Sequence, residues 1–276
     1  MSGLVSVIMP SFNTAPYIAE SIRSVMVQTY SDWELIIVDD ASTDNTDEVV
    51  SSLMSSRTSS AITNSSNIHY LKNDRNSGAA YSRNRALREA KGKWIAFLDS
   101  DDLWAPDKLE KQIAFMEKNG YAFSYTCYGE MDEDGQKTGV VVGGPKHITK
   151  TGMFNYCWPG CLTVMYDREV VGDIQIAEIQ KNNDYAMWLK ICRKADCYLL
   201  DENLARYRKR TGSITHACHP ERSEAKSKDL SRHLSLIKWH YKLYREAEGM
   251  NPVTSLFNTG RNLFFGVWKK IKYVKR

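Results

Sequence analysis

The chain has 276 residues, of which 42% are hydrophobic and 25% charged; that suits one large domain, or a domain with an appendage, and excludes a disordered or fibrous chain. No stretch reaches the roughly 18 consecutive apolar residues that a membrane-spanning helix needs. The net charge of +4 hides an asymmetry: residues 1–202 carry 20 Lys+Arg against 28 Asp+Glu, a balance of −8, whereas residues 203–276 carry 17 against 5, a balance of +12.

The opening MSGLVSVIMPSFN has no basic leader and no long apolar run, so no signal peptide is expected and the chain reads as cytoplasmic. Residues 4–9 form a short β-rich run closed by Pro10. Residues 16–28 set Ile18, Ile22 and Val25 at helical spacing, with Thr14 placed as N-cap. A second strand, 34–40, ends in Asp39 and Asp40, and a capped helix follows over 42–54. Residues 51–67 are rich in Ser, Thr and Asn and read as a surface loop. A third strand (68–73), a helix (77–90), a fourth strand (93–102) and a helix (105–120) stopped by Gly120 complete the alternation. Strands alternating with helices predict a mostly parallel sheet covered on both faces. Beyond residue 120 the pattern loosens: a strand and turn near 121–135, a strand at 161–169, and an amphipathic helix over 183–195. From residue 226 the pattern is helical, with Leu230, Leu234, Ile237, Tyr241 and Tyr244 on one stripe, and this part reads as separate from the α/β body.

In an open parallel sheet ligands bind beyond the carboxyl ends of the strands. Here those ends carry PSFN (10–13), Asp39–Asp40, and FLDSDD (97–102) with Asp99, Asp101 and Asp102. Carboxylates crowded on one edge repel unless a cation joins them. Oxygen ligands without His or Cys favour Mg²⁺ or Mn²⁺, which pair one or two carboxylates with substrate phosphates. The bland reading is that DSDD only caps the helix starting near Pro106.

The six cysteines show no CxxC pair, and HACH (216–219) lacks a second ligand pair for zinc, so they read as reduced thiols.

The runs VSVIMPSFN (5–13), SVMVQTYSDWELIIVDDASTDNT (24–46), NDRNSGAAYSRNRAL (73–87), WIAFLDSDDLWAPDKLEKQ (94–112) and NDYAMWLKI (183–191) together resemble the family 2 glycosyltransferases, over roughly residues 4–200. The resemblance implies the GT-A fold, inversion at the transferred sugar, a UDP-sugar donor and a divalent metal, Mn²⁺ or Mg²⁺. It implies a GT-A domain over 1–215, with a nucleotide-sugar half to about 105 and an acceptor half from 106, followed by a helical extension over 216–276. Asp40 would accept from the uracil N3–H. Pro10 and Phe12 would line the nucleoside pocket, and Arg83 would sit near the base or diphosphate. Asp99 would face the ribose, Ser100 would belong to the same binding set, and Asp101 would hold the metal, leaving Asp102 to cap and orient the loop. Asp184 falls where the family places its catalytic base, although the family usually has an acid at the position of Asn183. Arg208, Arg210 and Ser213 would contact the diphosphate, His216 would be an extra metal ligand, and Trp158 would stack on the acceptor. The implied partner is a glycan or polyprenyl-diphosphate-linked acceptor of surface-polysaccharide assembly, met at the inner face of the cytoplasmic membrane; a homodimer is left open.

The last segment bears on that placement. Phe257, Phe264, Trp268 and Ile271 share one helical face; Lys269, Lys272 and Lys275 follow a neighbouring one, with Arg261 and Arg276 at the ends. Such a helix lies in a membrane interface or packs on protein. The basic last quarter also raises a nucleic-acid-binding protein, but it contains no known binding motif. A nucleotidyltransferase would need a Gly-rich phosphate loop after the first strand, and PSFNTAP is not one.

Overall fold

The computed structural model describes residues 3–55, 67–179, 181–210 and 225–275. The first half runs β1 (Val5–Ser11), α1 (Ile18–Met26), β2 (Trp33–Asp39), α2 (Thr46–Ser55), β3 (Ile68–Lys72), α3 (Ala79–Glu89), β4 (Trp94–Phe97), β5 (Leu103–Trp104) and α4 (Lys108–Asn119). Strands β3, β2, β1 and β4 lie side by side in that order, all parallel. Strand side chains alternate between faces, and two cores result. Val5, Val7 and Met9 point to the side covered by Ile18, Ile22 and Val25 of α1 and by Leu109, Ile113 and Met116 of α4. Ile8, Ile36 and Phe97 point to the other side, against Ala86 and Leu87 of α3.

Strand β1 continues through Pro10 rather than ending there: Pro10 pairs in register with Val38. The ladder explains the tolerance. The Ile8 carbonyl accepts from Leu98 N on the β4 side, and the Ser11 carbonyl accepts from Asp40 N on the β2 side. Pro10 therefore faces the β4 side, where β4 has already left the sheet, and its missing N–H costs no ladder bond. Thr14 does not cap α1 with its side chain; the helix takes Tyr17 as N-cap, and Thr14 offers its carbonyl to Tyr17 N and Ile18 N. Gly120 ends α4 at φ 67, a left-handed conformation open to glycine without a Cβ penalty.

The second half runs β6 (Phe123–Met131), β7 (Lys137–Val142), β8 (His147–Ile148), α5 (Lys150–Asn155), β9 (Met165–Asp167), α6 (Arg168–Val171), α7 (Asn183–Cys192), β10 (Cys197–Arg208), α8 (Ala225–Lys242), a π-helical turn Leu243–Ala247, α9 (Pro252–Lys272) and β11 (Val274–Lys275). Strand β9 is antiparallel to both β4 and β6, which joins the halves into one sheet. The strand expected over 161–169 is shortened because Thr163 bonds the Gly160 carbonyl through its N (3.0 Å) and its Oγ1 (2.7 Å), which closes a 3-10 turn first. Helix α7 is not amphipathic: Tyr185, Ala186, Met187, Trp188, Leu189, Ile191 and Cys192 are all buried.

The C-terminal part is not separate from the body. Leu243 and Tyr244 are fully buried in the same core as Trp188 and Phe97. Val274 pairs with Val142, so β11 is an edge strand of the sheet. Among the described residues no helix is long and apolar enough to cross a membrane, and the five cysteines there are free thiols.

Candidate active site

The loops leaving β1 and β2 are sewn together. Asn13 adopts φ 51 and Ala41 φ 60; the left-handed region suits Asn well and Ala poorly. The Asn13 side-chain oxygen accepts from Thr43 N at 2.8 Å, and Asn13 N donates to Ser42 Oγ at 2.9 Å. The sequence gives Asn13 no role beyond its place in PSFN; the signal for this one is an Asn two positions past the end of β1. Phe12 stays 42% exposed at this rim.

Asp40 is buried, and its carboxylate accepts from Asn73 Nδ2 (2.7 Å), Ser77 N (2.9 Å) and Gly78 N (2.7 Å). Gly78 is the residue before α3 and has φ 90. Asp40 thus fixes the entry to α3, and of the roughly four lone-pair sites of a carboxylate about one remains for a ligand. Ser100 is buried, its hydroxyl accepting from Thr14 Oγ1 at 3.0 Å, which ties the loop after β4 to the loop after β1.

The three acids after β4 diverge. Asp99 keeps 31% of its side chain exposed and accepts from Arg83 Nη2 at 2.5 Å. Asp101 keeps 17% exposed and accepts from Arg210 Nε at 2.6 Å. Asp102 is buried and accepts from Arg208 N at 2.8 Å, which anchors the end of β10. It does not cap α4, whose N-cap is Asp107.

Asp184 sits in the first turn of α7, four residues before Trp188 on the same helical face. Trp188 packs edge-on against Phe97 at 5.4 Å, which brings that face under the end of β4. Arg83 closes the junction: it is buried, and while Nη2 holds Asp99, Nη1 donates to Asn183 Oδ1 at 3.1 Å. Asp184 Oδ1 accepts from Tyr185 N at 2.8 Å.

The electrostatics match this crowding. Burial raises Asp184 above the usual carboxylate range, and nearby Arg83 pulls it partly back. Burial raises Asp101, with Asp99 adding to it and Arg210 opposing. Asp102 lies well above its ordinary value, through burial first and the charges of Asp101 and Asp99 next. The thiol of Cys161 is pushed up by burial and lies within the field of Arg83, Asp99 and Asp184.

These residues fit a divalent cation. Asp101 is a raised, partly exposed carboxylate already facing a positive group, the Arg210 guanidinium. Among the described residues no three His, Cys, Asp or Glu side chains form a ready cage, so the ion would rest on Asp101 and on phosphate oxygens of a substrate, as Mg²⁺ and Mn²⁺ commonly do.

Other expected contacts fall elsewhere. All three guanidinium nitrogens of the buried Arg208 donate to protein oxygens: Asp101 O, Glu133 O and Glu20 Oε2. It is a clamp and has little left for a diphosphate. Trp158 is 4% exposed, donates from Nε1 to Gly152 O and packs against Tyr156, Phe265 and Tyr273, so its ring is not offered to a sugar. Ser213 and His216, with the HACH run, lie outside the described residues. Two cavities, of about 230 and 550 Å³, lie along β6, β7 and β10 and include none of the acids above; the carboxylate edge is identified by its chemistry and not by enclosure.

Residues 6–168 match the family described as Glycosyl transferase family 2. TuaG, a Bacillus subtilis glycosyltransferase named for teichuronic acid biosynthesis, is 42% identical over 213 residues, covering 77% of this chain and 81% of its own. The Escherichia coli UDP-Glc:alpha-D-GlcNAc-diphosphoundecaprenol beta-1,3-glucosyltransferase WfgD is 42% identical over 190 residues, 69% of this chain and 70% of its own. Among solved structures, the mannosyltransferase PcManGT of Pyrobaculum calidifontis, in complex with GDP-Man and Mn²⁺, superposes with a TM-score of 0.64 at 18% identity, over 97% of this chain and 76% of that one. The α/β fold is thereby of the GT-A type.

Proposed function

The chain belongs to glycosyltransferase family 2, and from that premise we propose that it moves a hexose from a UDP-sugar to a hydroxyl of a polyprenyl-diphosphate-linked glycan, in surface-polysaccharide assembly. The donor and acceptor classes are supported by relatives such as WfgD, whose name gives UDP-Glc and a GlcNAc-diphosphoundecaprenol.

One observation carries the mechanism: a single buried guanidinium, Arg83, bonds both Asp99 beyond β4 and Asn183 beside Asp184. The donor edge and the base are therefore held at a fixed separation. Asp184, raised by burial, accepts a proton more readily than an ordinary carboxylate. Its carboxylate takes the proton of the acceptor hydroxyl as that oxygen bonds the anomeric carbon. The bond from that carbon to the β-phosphate oxygen breaks, and UDP leaves with the electron pair from the opposite face, inverting the centre. When bound on Asp101, Mn²⁺ or Mg²⁺ supplies charge neutralisation at the departing diphosphate. Phe12 and the remaining acceptor site of Asp40 receive the uracil; Pro10 lines the same nucleoside pocket, and Asp99 and Ser100 bound the ribose side. Arg210, the one arginine of this edge with a partly exposed side chain on Asp101, turns to the diphosphate.

The test is a panel of UDP-sugars offered with a GlcNAc-diphospho-lipid acceptor, with and without Mn²⁺. Products are read by mass spectrometry and their anomeric configuration by NMR. Transfer from at least one UDP-sugar, with inversion and loss in EDTA, is expected. Retention of configuration removes the single displacement, and turnover only of other nucleotide sugars removes the donor.

A further inference from the structure

Helix α9 faces the protein with its polar side. Ser255, Asn258, Thr259 and Asn262 are all buried. Asn262 Nδ2 donates to the Tyr185 hydroxyl at 3.2 Å, that hydroxyl donates to Met153 O at 2.7 Å, and Arg261 Nη2 donates to Thr151 O at 3.0 Å. These bonds fix the rotation of the helix, because turning it would strand buried polar groups.

The outward side is apolar. Leu256, Phe257, Phe264, Val267, Trp268 and Ile271 stand at spacings of one, three, four or seven, and each is between 44% and 75% exposed. That inverts the pattern of an ordinary surface helix. An exposed apolar patch of this kind marks a docking face.

Charge identifies what docks. Residues 249–276 hold six Lys+Arg and no Asp or Glu. Lys270, Lys272 and Lys275 are exposed beside the end of the stripe. The cavity of about 550 Å³ opens there, lined by Lys146, Lys272 and Lys275 with the Gly143–Gly144 backbone and a single acid, Asp201. A second copy of the chain would bring the same positive charge against itself. An anionic lipid surface supplies both the acyl boundary and the phosphates.

We propose that α9 docks the protein on an anionic bilayer: the stripe enters the acyl boundary along the helix's length of about 30 Å, and the three lysines receive lipid phosphates. The sequence order of contacts gives this a use. Lys269 does not join the exposed basic face; its Nζ donates to Trp158 O at 2.7 Å. The neighbouring Cys157 lies in the fields of both Lys269 and Asp184, so the docked helix abuts the segment that borders the base. The proposal goes beyond the catalytic reading and does not rest on it.

The experiment is flotation of the full chain with vesicles of phosphatidylcholine alone or with phosphatidylglycerol added, without donor or acceptor. Two triple variants are compared: Phe264→Ser with Trp268→Ser and Ile271→Ser, and Lys270→Glu with Lys272→Glu and Lys275→Glu. All six side chains are solvent-facing or half-exposed, and circular dichroism melting verifies the fold. Binding to the anionic vesicles is expected, falling at least about tenfold in each variant. No binding by the full chain overturns the proposal. So does equal binding by either variant. A dimer in solution that the apolar variant dissociates, with no vesicle binding, would make a second copy the occupant.

Discussion

Arg83 and Asn183, 100 positions apart in the chain, share a hydrogen bond of 3.1 Å. The same guanidinium pairs with Asp99 at 2.5 Å. The Asn183 amide oxygen thus takes one nitrogen of Arg83 without adding a charge beside Asp184. These contacts set the tuning of the proposed base: burial raises Asp184, Arg83 opposes the rise and Asp99 adds to it.

Asn183→Asp should move the acidic limb of the kcat/KM profile to higher pH. The new carboxylate disfavours ionisation of its neighbour, so Asp184 holds its proton to higher pH and the base is lost sooner on acidification. Arg83 offsets part of this. A pH–rate profile with saturating donor reads it; a limb that stays in place or moves down removes the tuning.

Asp184→Asn should lower transfer at least about a hundredfold, the usual size of general-base catalysis, while raising the unfolding temperature at neutral pH. Burial raises the Asp184 carboxyl in the folded state, so the unfolded chain releases that proton first. Above the ordinary carboxylate pKa the charged group then costs folding stability, and the amide does not. Thermal melts of the two proteins at neutral pH check the second half; a clear loss of stability in the variant contradicts it.

Arg210 Nε holds Asp101 Oδ2 at 2.6 Å, the carboxylate proposed for the metal. Arg210→Gln should tighten Mn²⁺ binding to the free protein by about tenfold, as expected if about 1.4 kcal/mol of competition is removed, and slow transfer because the diphosphate loses a partner. Asp101→Asn should abolish the Mn²⁺ site. Electron paramagnetic resonance titration without donor separates the two, and equal affinity in wild type and Arg210→Gln would show that the guanidinium does not compete.

The parallel half was legible because its signals are local. The spacing of Ile18, Ile22 and Val25 predicts one face and all three are buried, and the acids after β2 and β4 do fall at the carboxyl end of one parallel sheet. The second half was not, for three physical reasons. Strand β10 carries Asp201, Glu202 and Asn203 in its middle, polar residues without a strand's apolar alternation, but its pairing with β6 shifts register there and absorbs them. Helix α7 looks amphipathic because Asp184 and Lys190 interrupt it, yet it lies between sheet and C-terminal helices and is buried on most sides. Arg208, expected at the diphosphate from its place in RYRKR, is instead held by Glu20, 188 positions away and 2.6 Å from it, which only the fold brings near.

Lys108 supplies a test of the core itself. It is fully buried at the start of α4, with Nζ donating to Gln112 Oε1 at 2.7 Å and lying 4.2 Å from the centre of the Trp104 ring. Desolvation lowers its pKa from 10.5 to about 7. Between those values the unfolded chain binds the proton and the folded chain does not, so stability rises with pH across the window, and the cost is full below pH 7. From pH 7 to 8.5 this one group adds on the order of 1–2 kcal/mol, taking 1.36 kcal/mol per pKa unit with the folded group half-titrated at the start. Lys108→Met keeps the volume and removes the titration. Urea unfolding of both proteins at the two pH values should show the wild type gaining that amount over the variant, since thiols and other groups titrate alike in both and cancel in the difference. Parallel pH dependence in the two would mean that Lys108 keeps its charge in the folded state through its bond to Gln112 and the Trp104 ring.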